Sequence, residues 1–154
     1  MVVKTKFFGE VELDDDKILE FPKGIIGFEG FTKYAILFDV DDESEKRINW
    51  LQSLDEPVLA LPVVDPLAIV EDYAPMIDDD LLAPLGNPAD EDLLFLLAMT
   101  VPSDMTKVTA NMKAPFIINT VTRQGVQLIV ENEDYPVKYN VYDAVQKMKE
   151  KAGE

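Results

Sequence analysis

Proline and acidic residues divide the apolar residues of this chain into short runs, and that division limits what it can fold into more than any single residue does. Tyr34–Phe38 stops at Asp39, Ile48–Leu54 stops at Asp55, Pro57–Pro66 is bounded by proline at both ends, and Leu93–Val101 stops at Pro102. Each run is rich in β-branched, aromatic or leucine side chains, which suit a pleated and partly buried surface, and proline cannot donate to a strand ladder. The pattern predicts a mainly β architecture, a small β-barrel-like or sandwich domain of short antiparallel strands. A chain of 154 residues is the usual size for one core, so residues 1–154 are read as a single domain. No apolar run approaches the roughly 20 residues needed to cross a bilayer. The stretch Met1–Gly9 has no apolar core of signal-peptide length. A cytoplasmic protein without membrane contact is expected.

The remaining segments fill in this outline. Val3–Leu13 is read as two short strands turning at Gly9, Asp14–Asp16 as a solvated turn, and Ile18–Phe21 as a strand ended by Pro22. In Phe21–Phe31 glycines alternate with bulky apolar residues, which predicts a shaped loop pinned by Phe21, Phe28 and Phe31. It lacks the spacing of a phosphate-binding loop. Tyr73, Ile77, Leu81, Leu82 and Leu85 approximate helical spacing, so short helical turns are expected around 66–92. Val108–Met112, Ala114–Val121 and Val126–Val130 read as strands, with Gly125 closing a hairpin. Val141, Val145 and Met148 predict a C-terminal helix over Tyr139–Lys151, with Lys147, Lys149 and Lys151 near its negative end.

The chemistry open to such a chain is narrow. It has neither cysteine nor histidine, which removes thiolate nucleophiles, disulfides, the usual general base near neutral pH and the commonest transition-metal ligands. Asp14–Asp16, Asp39–Glu45 and Asp78–Asp80 lack the alternating spacing of a calcium loop, and no metal or cofactor is expected. Paired carboxylates together with Trp50 leave one alternative open, an acidic β domain that binds or hydrolyses carbohydrate. Trp50 sits in an apolar run and is read first as a core residue, and Asn111 and Asn119 as side chains that fix loops by bonding to backbone. With 14 basic against 30 acidic residues the formal charge is −16. Such a surface repels nucleic acid and anionic membranes and favours a basic protein partner.

Three ordered runs carry a resemblance. Phe21-Pro22-x-Gly24-Ile25-x-Gly27-Phe28, then Leu51-Gln52-Ser53-x-x-x-Pro57-x-Leu59-Ala60-Leu61-x-Val63-x-Asp65-Pro66, then Thr109-x-Asn111-x-x-Ala114-Pro115-x-x-Ile118-Asn119, followed by Gly125-x-Gln127-x-Ile129 and Tyr135, resemble the signature segments of the FliW family of flagellar assembly factors. The resemblance implies one FliW-like domain over 1–154 that catalyses no reaction. It also implies two protein partners, the RNA-binding translational repressor CsrA and flagellin, with flagellin synthesis coupled to assembly. Within that reading Phe21, Pro22, Gly24, Gly27, Phe28, Gln52, Asp65, Pro66, Asn111, Pro115 and Asn119 are structural motif residues. Glu131, Glu133 and Asp134, beside the aromatic Tyr135, are the first candidates for partner contact, because they join charge to an anchor beyond a strand end. Asp39, Asp41, Asp42, Glu43 and Glu45 are the second.

Overall fold

The computed structural model describes residues 2–6, 9–37, 48–70, 72–86, 88–144 and 146–147. The acidic stretch Asp39–Glu45 lies outside the described residues. The chain folds into a mainly β structure whose strands are β1 (Val2–Thr5), β2 (Gly9–Glu12), β3 (Leu19–Glu20), β4 (Lys33–Leu37), β5 (Ile48–Ser53), β6 (Ala60–Val64), β7 (Leu93–Thr100), β8 (Thr109–Ala110), β9 (Phe116–Asn119), β10 (Gln124–Gln127) and β11 (Tyr139–Asn140). β1 and β2 form a separate hairpin. The other strands make one sheet, and a pairing between β7 and β9 closes β3-β4-β5-β6-β7-β9-β10 into a barrel-like ring. β8 and β11 extend from the far half of β7. Every pairing is antiparallel except β3 with β10, which meet in parallel at Glu20 and Gln124.

The short helical turns fall where the sequence places them: Pro66–Ala68, α1 (Asp79–Leu82), Ala83–Leu85 and Asp90–Asp92. Asp65 caps the first by accepting from the Leu67 N–H at 2.9 Å, with Pro66 preset for the opening turn. Asp78 caps α1 through the Asp80 N–H at 3.0 Å.

β7 and β9 bury both faces, which is why Leu93–Met99 and Phe116–Ile118 are continuous in apolar residues. Within the barrel lie Leu19, Phe21, Tyr34, Leu51, Val63, Leu96, Phe116 and Ile118, with Phe21 packed edge-on to Tyr34 at 5.4 Å and to Phe116 at 6.1 Å. Burying each such side chain contributes about 1.5–3 kcal/mol. The alternate residues face outward into three satellite clusters. Ala35 and Leu37 pack under the β1–β2 hairpin with Val3 and Leu13. Ile117 and Val126 pack under Leu85 of the helical segment. Val64, Leu97 and Met99 pack with Tyr73, Val108 and Val141. Trp50 is half-buried against the hairpin cluster.

Several expectations change, among them the strands over Val108–Met112 and Val126–Val130, which are observed as Thr109–Ala110 and Gln124–Gln127. Gly125 lies inside β10 and closes no hairpin. The turn is made by residues 120–123, where the Asn119 carboxamide accepts from the N–H groups of Val121 and Thr122, and Arg123 takes the left-handed φ of 63°. Tyr139 and Asn140 do not begin a helix: they pair with β8 as β11, and the Asn140 side chain accepts from the Tyr142 N–H at 3.0 Å as helical residues 142–144 and 146–147 begin. The expected strand over Ala114–Val121 narrows to Phe116–Asn119, because residues 111–115 bulge out of the sheet. Leu96 faces Phe116 and Met99 faces Ala110, so five residues stand opposite Leu97 and Ala98. The Ile18–Phe21 strand shrinks to Leu19–Glu20, since Phe21 already turns into the glycine loop.

Candidate functional site

The 111–115 bulge is the junction on which two candidate surfaces rest. Asn111 donates its backbone N–H to Ala98 at 2.8 Å, and its side-chain oxygen accepts from the N–H groups of Lys113 and Ala114 at 3.0 and 3.1 Å. That side chain replaces the ladder bonds the bulge gives up. On one flank the Gln127 amide spans the gap to the glycine loop, donating to the Ala114 carbonyl at 3.1 Å and accepting from the Ile26 N–H at 2.8 Å. On the other flank Lys113 donates its ammonium to the Asn132 carbonyl at 2.6 Å, and its own carbonyl accepts from Val130.

The loop that carries the acidic candidates is therefore bound at several points. Asn132 accepts from the Met76 N–H at 2.6 Å and donates to the Ala74 carbonyl at 3.1 Å, while the Glu131 N–H donates to Met76. The Tyr135 hydroxyl accepts from the Ala74 N–H at 2.8 Å, and its ring stacks on Tyr73 with centroids 5.1 Å apart. Tyr73 is buried and donates to the Met112 carbonyl at 3.1 Å. Burial first, and then the neighbouring Tyr135, pushes the Tyr73 phenol well above its ordinary pKa. Glu131, Glu133 and Asp134 are exposed on this frame, and Tyr135 is half-buried with its hydroxyl engaged.

The glycine loop is a succession of tight turns: Gly24 N–H to Phe21, Phe28 N–H to Ile25, and Phe31 N–H to Phe28. Gly24 has φ 68° and approaches so closely that a Cβ there would lie 2.4 Å from the Glu29 Cα, so no other residue fits. Phe21 is fully buried, Phe28 is 38% exposed, and Pro22 lies at the surface. Gln52 is fully buried and donates to the carbonyls of Ser53, Leu59 and Pro57 at 2.9 to 3.3 Å, holding the turn between β5 and β6. Asn119 also donates to the Leu85 carbonyl at 2.8 Å, tying the helical segment to the barrel. Pro115 is buried in the bulge and accepts from Leu128.

The sequence profile of the FliW protein family matches residues 2–141. The chain belongs to the FliW family. It is 51% identical over 146 residues to the flagellar assembly factor FliW of Lachnoclostridium phytofermentans, covering 95% of this chain and 94% of that protein. It is 47% identical over 148 residues to the flagellar assembly factor FliW of Lachnospira eligens, covering 96% and 98%. A crystal structure of the flagellar assembly factor FliW superposes with a TM-score of 0.82 at 28% identity, covering 92% of this chain and 96% of that one.

In this FliW chain the motif segments form the glycine loop, the β5–β6 turn and the bulge, and Gln127 joins the first to the third. Asn132 and Lys113 were not among the sequence candidates, and Gln127 was noted only for its fit to the family. Their signal was faint, because a polar residue near a strand end gives no indication of which distant carbonyl it will meet. Among the described residues no group of three or more acidic side chains is placed to hold a metal ion, and no helix is long and apolar enough to cross a membrane.

Proposed function

We propose that this chain acts in flagellar assembly as a non-enzymatic, cytoplasmic regulator that binds the RNA-binding repressor CsrA and, in competition, flagellin. Membership of the FliW family carries the role in assembly. The choice of surface rests on one observation: Glu131, Glu133 and Asp134 are exposed on a loop that Asn132, Tyr135 and Lys113 bind to the body of the protein. Carboxylates held on a fixed frame lose little conformational freedom when a partner binds. A protein that grips RNA carries basic surface, so a chain of charge −16 meets it with favourable long-range steering, felt mainly in the association rate.

The test is stopped-flow association with purified CsrA, using a variant in which Glu131, Glu133 and Asp134 are all lysine. Association is expected to slow by about tenfold or more at low ionic strength, with a shallower salt dependence. Unchanged affinity at low salt removes this loop from the interface. A competition assay containing CsrA, its RNA and this protein should release RNA, and adding flagellin should reverse the release. Binding to neither protein would restore the alternative of a carbohydrate-binding β domain.

A further inference from the structure

A cleft of about 180 Å³ runs between the glycine loop and α1, walled by Gly24–Ile26 and Glu29 on one side and by Asp80, Leu81 and Pro84 on the other, with Val126–Leu128 as its floor. Its lips are apolar and outward: Ile26 is 54% exposed and Leu81 is 45% exposed. The backbone beneath Ile26 is fixed by the Gln127 side chain and by the turn bond from Phe28 to Ile25. A branched aliphatic side chain held out on such a frame is costly in water and pre-organised for contact.

We infer that this cleft docks an amphipathic helix of a partner protein, one that inserts aliphatic side chains between Ile26 and Leu81 and carries lysine or arginine alongside them. The volume is below the roughly 300–1,000 Å³ of small-molecule and cofactor pockets and suits one or two anchoring side chains instead. A helix is favoured over an extended peptide because the N–H groups of Ile26, Phe28 and Leu128 already have partners, which leaves recognition to side chains. The basic flank follows from charge: Glu29 stands on one wall and Asp80 on the other, with Lys23 the one cation among the described lining residues, in a chain of net charge −16. This surface is distinct from the Glu131–Asp134 loop and does not depend on the CsrA and flagellin reading.

The probe is a synthetic helical peptide of leucine and lysine, compared with one in which glutamate replaces lysine and one in which serine replaces leucine. Each is titrated into the full chain and followed by backbone amide NMR. The leucine–lysine peptide should shift Ile26, Leu81 and Val126–Leu128, and the other two should not bind. Ile26→Ser and Leu81→Ser should each weaken binding by about fivefold or more, as expected for a buried aliphatic contact, with unchanged thermal midpoints. Glu29→Gln with Asp80→Asn should flatten its salt dependence. Shifts confined to Glu131–Tyr135, shifts spread over all acidic faces, or equal binding of the serine or glutamate peptide would each overturn the assignment. CsrA and flagellin binding, measured on the same variants, reports separately on the function proposed above.

Discussion

Gly125 of β10 faces the ring of Phe21 so closely that a Cβ at position 125 would stand 2.7 Å from the Phe21 Cζ and 2.8 Å from its Cε2. Glycine here makes room for the aromatic that fills the barrel. Gly125→Ala should therefore destabilise by about 1–3 kcal/mol through overpacking, and Phe21→Leu should cost a comparable amount through the space it leaves. The two changes share one volume, so urea unfolding of the double variant should show a loss clearly smaller than the sum. Strict additivity would mean that the ring and the glycine do not compete for that space.

Gly24 and Gly27 both hold left-handed backbone, with φ of 68° and 88°, yet only Gly24 is crowded. Gly27→Ala should cost about 1 kcal/mol from backbone strain alone. Gly24→Ala should cost clearly more, since its Cβ meets the Glu29 main chain and the loop must move. Thermal denaturation of the pair gives the order, and equal midpoints would contradict it.

Gln127 joins the glycine loop to the bulge, so Gln127→Leu leaves the Ile26 N–H and the Ala114 carbonyl without their partner. The Ile26 end is exposed and regains water, which holds the expected loss of stability to about 1–2 kcal/mol. Hydrogen exchange should quicken at Ile26 while the amides of β5 and β6 stay protected. Uniform acceleration would point to global loosening instead.

Tyr34 is fully buried, and among the described residues its hydroxyl has no hydrogen-bond partner. Burial, and secondarily the negative Asp55, push its pKa from 10.0 up to about 12. The folded state thus prefers the neutral phenol. The stability this contributes is fully present below the unfolded value near 10 and is lost as pH rises through about 12. Urea melts from neutral pH upward should show that alkaline loss together with late growth of phenolate absorbance. Tyr34→Phe should leave neutral stability unchanged or raised by about 1 kcal/mol, because an orphaned hydroxyl is removed, and should reduce the alkaline loss. Tyr73 adds to that loss in the same direction.

Much of the barrel was legible because strand character is local. The runs at Tyr34–Phe38, Ile48–Leu54 and Leu93–Val101 needed only their own residues to be read, and they became β4, β5 and β7. What could not be read was which partner each polar residue would find. Asn119 was read as a loop-fixing side chain and bonds to Val121, Thr122 and Leu85, but the turn it makes was assigned to Gly125, whose lack of a side chain serves Phe21 instead. Tyr139 and Asn140 were drawn into the expected helix by the spacing of Val141, Val145 and Met148 beyond them, and only the presence of β8 pulls them into a ladder. The acidic residues Glu131, Glu133 and Asp134 were singled out as candidates by charge, and the glycine loop by composition. The bulge linking them, Asn111 to Ala114 with Gln127 and Lys113, exists only once β8 and β9 share one strand.

The parallel contact of Glu20 with Gln124 also has a bearing on the protein's birth. Six of the ring strands can be laid down in turn, but the ring cannot shut until β10 has left the ribosome. Until then β3 and β9 each present an unpaired edge, the condition in which nascent chains find one another. Non-local closure of this kind is slow compared with helix or hairpin formation. The charge of −16 acts in that interval too: repulsion between unfinished chains keeps their open edges apart until each barrel closes upon itself.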